Sequence, residues 1–84
     1  MYYVYILRSK TSVDKFYIGY TEHLDKRLLE HENTPPDAYT HRYAPWRLET
    51  YIVFPNKRLA LEFESYLKSH SGRAFLRRRL MAAE

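Results

Sequence analysis

Arg27 and His31 stand four residues apart, one step along the same edge of any helix that contains both. A half-buried arginine at that edge needs an anionic partner. The structural alternative pairs Arg27 with a carboxylate of the protein and leaves His31 to cap the helix end. Tyr5 and Tyr17 are a second set: paired across a hairpin, their rings sit side by side on one face, as in ordinary cross-strand aromatic packing. Gly19 follows two residues after Tyr17, and a glycine inside a strand often marks a place where another group approaches the backbone closely. Glu62 and Glu64 are a third set. They flank the stripe Leu59, Phe63, Tyr66 and Leu67 on opposite sides, Glu62 about 40° beyond Tyr66 and Glu64 about 40° beyond Ala60. Either can stand at the mouth of a site, and helix geometry does not choose between them. The fourth set is Arg73, Arg77, Arg78 and Arg79, interleaved with Phe75, Leu76 and Leu80. Arginines spaced this way suit forked contacts to phosphates or a solvated helix face. Thr40, His41 and Arg42 are further groups that can either reach a phosphate or simply be solvated.

Other chemistries lack their residues. The chain has no glycine-rich phosphate loop, no nucleophile elbow and no histidine pair at zinc spacing. It has no cysteine, which removes disulfides and thiolate metal sites. Any metal is then held by oxygen ligands, which points to magnesium or manganese.

The elements that must carry these groups follow from the pattern. Residues 3–8 and 16–20 are rich in Tyr, Val, Ile and Phe and read as a hairpin around the polar segment 9–15. The first strand is apolar on both faces, so both faces are expected to be covered. Thr21 caps a helix over 22–31, with Leu24 and Leu28 facing inward. Residues 32–44, with Pro35 and Pro36, read as a long loop. Residues 46–54 form a third strand, ended by Pro55. Asn56 caps a helix over 57–68, and Ser71 caps a last helix over 73–82. The expected order is β-β-α-β-α-α.

Length and composition bound the rest. At 84 residues one domain, spanning residues 1–84, is expected. With 17% aromatic residues, 9 of them Tyr among the aromatics, a few buried rings can make a core. A net charge of +4 and a pI near 9.4 suit a polyanionic partner without establishing one. The N-terminal apolar run is too short for a signal core or a membrane span, so a soluble, cytoplasmic protein is expected.

The order of the polar groups is more specific than any one of them. Tyr3-Val4-Tyr5-Ile6, a spacer, Tyr17-Ile18-Gly19-Tyr20-Thr21, then Arg27, His31 and Glu64 closely resemble the GIY-YIG endonuclease family. The block Leu59 to Glu64 followed by Lys68, together with Thr40 and Pro45-Trp46, extends the resemblance over nearly the whole chain. It implies an α/β (α+β) fold: a three-stranded antiparallel sheet flanked by helices. It also implies phosphodiester cleavage with one Mg2+ or Mn2+ held by Glu64, Arg27 on the scissile phosphate, Tyr5 and Tyr17 beside the attacking water, and His31 within their reach. Nearby cations are expected to lower the tyrosine pKa from its ordinary value near 10. The resemblance leaves open which tyrosine, or His31, takes the proton.

Three positions depart from the family pattern. Tyr3 stands where the opening triplet has Gly, Glu32 follows the histidine where Asn is frequent, and Tyr20 stands where some relatives carry Lys. The expected nucleic-acid contacts are Arg27, Thr40, Arg42, Lys68, Arg73, Arg77 and Arg78. DNA is favoured over RNA, in a repair-type role, and a small surface argues for recognition of nucleic-acid structure or of a protein partner rather than of a long sequence. The alternative is a catalytically inactive nucleic-acid-binding or protein-interaction module on the same fold.

Overall fold

The computed structural model describes residues 1–33 and 42–81, with residues 31–33 as backbone only. Strands β1 (Tyr2–Ser9), β2 (Phe16–Thr21) and β3 (Trp46–Phe54) form one antiparallel sheet in the order β2-β1-β3. Helix α1 (Leu24–Asn33) follows β2. Helices α2 (Lys57–Leu67) and α3 (His70–Phe75) follow β3, and α3 continues into a π-helical turn, Leu76–Leu80. The expected sheet and element order hold. α1 begins two residues later than expected because Thr21 accepts a hydrogen bond from His23 N at 3.0 Å, spending its hydroxyl on a turn ahead of the helix. The expected loop over 32–44 starts late, since Glu32 and Asn33 still belong to α1; residues 34–41 lie outside the described residues.

Being central, β1 is buried continuously from Val4 to Ser9, as a strand apolar on both faces requires. Alternation then sorts the sheet into two unlike faces. Val4, Ile6, Phe16 and Ile18 join Ala60, Leu67 and Leu76 in the hydrophobic core under the C-terminal helices. Each fully buried side chain of this kind contributes about 1.5–3 kcal/mol. Tyr5, Leu7, Tyr17 and Gly19 look out of the opposite face, and α1 packs against β3.

Helix α2 corrects the expected stripe. Its buried residues are Ala60 and Leu67, whereas Leu59 and Tyr66 stay 42% and 40% exposed. The small side chain of Ala60 lets the helix approach the sheet there. Tyr66 turns aside into an aromatic cluster, 6.2 Å from Phe63 and 6.1 Å from Phe75 between ring centroids.

β3 carries a bulge. Ile6 faces Thr50 and Leu7 faces Leu48, so Glu49 is the extra residue. Its side chain, 5% exposed, takes Arg47 at 2.8 Å and Arg8 at 3.9 Å. Arg8 is itself 5% exposed, and a carboxylate beside it offsets the cost of burying its charge.

The last helix starts earlier than the sequence suggests. Ser69, not Ser71, is the cap: its Oγ accepts from Gly72 N at 3.1 Å. Gly72 is required by contact, because a Cβ there would strike the backbone of Tyr66 and Leu67. The difference is measurable by urea denaturation. Ser69→Ala is expected to cost about 1 kcal/mol and Ser71→Ala less than about 0.5 kcal/mol; the reverse ranking would return the cap to Ser71.

Candidate active site

Tyr5 is the centre of the outward face. It is fully buried and faces Gly19 across β2 and Tyr51 across β3. The register corrects the expected pairing: Tyr17 sits opposite Leu7, so Tyr5 and Tyr17 are diagonal neighbours with ring centroids 6.3 Å apart. Gly19 explains the diagonal. A Cβ at position 19 would collide with Cζ and the hydroxyl of Tyr5, so the phenol lies across bare backbone. Tyr17 also meets Trp46 edge-on at 6.5 Å.

Arg27 comes to Tyr5 from α1. Its guanidinium lies close enough for its charge to favour the ionised phenol, and its Nε lies 3.3 Å from Glu30 Oε1 one turn on. That pair is exposed enough to contribute little stability. The hydroxyl of Tyr5 is pushed well above the ordinary 10.0, first by burial and then by Tyr17 and Glu64; Arg27 pulls it down and does not prevail. Arg27 by itself does not lower Tyr5, because loss of hydration outweighs one half-exposed cation. At neutral pH Tyr5 is a protonated hydroxyl.

The two glutamates of α2 separate cleanly. Glu62 points outward, 61% exposed and 3.1 Å from Arg58. The side chain of Glu64 is 20% exposed, pairs with Lys68 at 3.3 Å, and its charge is felt by both Tyr5 and Tyr20. Tyr20, which also donates to Glu22 at 3.3 Å, is raised above the ordinary tyrosine value by burial and by these carboxylates.

The remaining expected contacts scatter. Arg73 and Arg77 lie over the ring of Phe16, 5.7 and 5.3 Å from its centroid, and Arg78 is exposed. They stand on the core side of the sheet, away from the Tyr5 face. Arg42 lies over Tyr43. The side chain of His31, and Thr40 and His41 entirely, lie outside the described residues. Lys15 escaped the sequence reading although strand alternation puts it on the face of Tyr17; Tyr43 gave no signal at all.

Comparison with known proteins is consistent with this arrangement. The GIY-YIG catalytic domain family matches residues 1–78. UPF0213 protein CPE1444 of Clostridium perfringens is 40% identical over 68 residues, 81% of this chain and 71% of that protein. The structure-specific endonuclease subunit SLX1 of Debaryomyces hansenii is 34% identical over 73 residues, 80% of this chain but 21% of that protein. The solution structure of UPF0213 protein BH0048 from Bacillus halodurans superposes with a TM-score of 0.55 at 33% identity, covering 93% of this chain and 84% of that one.

Spectrophotometric pH titration tests the buried phenol. The native protein is expected to show a tyrosine ionising well after the ordinary step near 10.0. Tyr5→Phe removes this latest step; Gly19→Ala, which displaces the ring, moves it down. Because the folded pKa is raised, stability is full below pH 10 and falls as pH rises above it. A Tyr5→Phe trace identical to wild type would place the late step elsewhere.

Proposed function

The chain belongs to the GIY-YIG family and is an endonuclease of that type, and on that premise we propose that it hydrolyses DNA phosphodiester bonds with one divalent ion held through Glu64. The observation that carries the reading is that Tyr5, seated over Gly19, has Tyr17 6.3 Å away and feels the charges of both Arg27 and Glu64.

A phosphodiester is already anionic, so attack on it needs positive charge in place beforehand. Arg27 supplies one part. Glu64 suits a hard cation: it is an oxygen donor and partly open to water. An ion held by one carboxylate keeps most of its waters, as magnesium does, and adds charge neutralisation when bound. Lys68, half exposed and paired with Glu64 at 3.3 Å, would be free for a phosphate were Glu64 to hold the ion. Tyr5 works as a neutral hydroxyl, fixed by Gly19 and Arg27, that orients the attacking water. Tyr17, less buried, or His31 takes the proton. Arg73, Arg77 and Arg78 add sequence-independent contacts to the flanking backbone. Similarity to the structure-specific endonuclease subunit SLX1 favours recognition of a DNA structure, with a protein partner, over recognition of a sequence, and a repair-type role is part of this reading. A cytoplasmic location belongs to the same proposal.

A panel of labelled DNA and RNA structures, each with magnesium, manganese or chelator, tests the reading. Cutting that requires metal is expected. Glu64→Gln should lower it by on the order of a hundredfold or more, with oligonucleotide affinity kept, and Glu62→Gln should leave it unchanged. Swapped results would put the metal on the other face of α2. For backbone contacts, Arg77→Gln/Arg78→Gln is expected to weaken binding evenly across unrelated sequences and to flatten the log–log salt slope by roughly 1–2. An unchanged slope would make this helix face merely solvated.

A further inference from the structure

Arg8, Arg27, Arg47, Arg58 and Lys68 each lie within ion-pair distance of a glutamate. Among the described residues, several cations form no ion pair, and with Arg73 and Arg77 these include Lys15 and Arg42. Both are instead held over one ring: Lys15 Nζ is 5.7 Å and Arg42 Cζ 5.4 Å from the centroid of Tyr43. The aromatic face attracts each of them, but two like charges around one ring repel each other, and an anion relieves that repulsion.

The cluster is fixed in place by its backbone. Ser9, fully buried, donates its hydroxyl to the Tyr43 carbonyl at 2.7 Å and accepts from Thr11 N and Ser12 N at 3.1 and 3.0 Å. Ser9 N donates to Lys15 O at 3.0 Å, and Lys10 N to Pro45 O at 2.9 Å. The β1–β2 loop and the segment before β3 are thus tied to each other. This end of the sheet adjoins the Tyr5 site. Lys15 precedes Tyr17 by two residues, so it shares its face about 7 Å along the strand. Trp46, half-buried opposite Ser9, packs on Tyr17. The rings Tyr5, Tyr17 and Trp46 form a line that leads toward the two unneutralised cations.

We propose that Lys15, Arg42, Tyr43 and Trp46 form a binding site for an unpaired polynucleotide strand running away from the scissile phosphate. Cations beside stacking surfaces are what such a strand requires: charge for its phosphates and rings for its open base faces. A duplex keeps its base faces stacked and offers the rings nothing. The proposal rests on the nuclease reading for what occupies Tyr5 and Tyr17, so its test is a binding measurement that needs no cleavage.

Trp46 is the sole tryptophan of the chain, so its emission reports this site alone. The protein carrying Glu64→Gln is titrated in chelator with a short labelled oligothymidylate, and tryptophan emission is followed beside oligonucleotide anisotropy. Quenching that saturates together with the anisotropy is expected. Lys15→Gln/Arg42→Gln should weaken binding on the order of tenfold and lower the log–log salt slope by about 1.4, with far-UV circular dichroism unchanged. Tyr43→Leu should weaken binding as well. Quenching by oligothymidylate or by oligouridylate supports the site, and the tighter of the two assigns the sugar. Binding without quenching, wild-type affinity in the double variant, or equal quenching by a duplex of the same length would overturn it. Cleavage in the panel above with no quenching here would remove this site and leave the nuclease reading intact; quenching without cleavage would do the reverse.

Discussion

The phenol of Tyr5 occupies the volume that a side chain at position 19 would fill, and the outward face of the sheet is organised by that substitution of one group for another. With no Cβ beneath it, the ring lies flat toward β2 instead of standing off the sheet. Its hydroxyl comes within reach of the Arg27 charge, and its ring lies tilted against Tyr17 on the diagonal. A ring held against backbone on one side and neighbours on the others has one orientation, and a reaction site needs that fixity. The same enclosure strips water from the hydroxyl and keeps it protonated.

The two faces of the sheet divide the work. The face toward α2, α3 and the π-helical turn is apolar and supplies the stability of the fold. The other face collects tyrosines, a tryptophan and cations around the buried Tyr5 and Leu7. Helix α2 serves both. Its contact through Ala60 and Leu67 sets the rotation of the helix, and that rotation alone sends Glu62 to solvent and brings Glu64 within electrostatic reach of Tyr5. A packing choice on the core side thus fixes a charge on the site side.

Charge is handled in two ways along the chain. Arg8 and Arg47 share the buried Glu49 at the bulge, where an unpaired ion would be costly. Lys15, Arg42, Arg73 and Arg77 are held on aromatic rings instead. Cation–π contact fixes a positive charge without neutralising it. Such charge stays available to a polyanion, and it accumulates around residues 15 and 16, where β2 begins.

The sequence by itself determined the strands, the helix order, the Asn56 cap and the polar residues that carry the family resemblance. These depend on local patterns: alternation, capping side chains and proline stops. It also marked Gly19 as a place of close approach, though not what approaches. The register of β1 against β2 was beyond it, since a hairpin with a six-residue loop from Lys10 to Lys15 tolerates several pairings. So was the identity of the inward stripe of α2. Leu59 and Tyr66 have the right period, and only the closeness that Ala60 permits decides against them. The bulge at Glu49 broke the alternation without any glycine or proline to announce it. Which glutamate faces the tyrosines, that Tyr5 is too desolvated to ionise, and where the unneutralised cations gather were settled by tertiary contacts, because each depends on groups that are distant in the chain and share a place only after it folds.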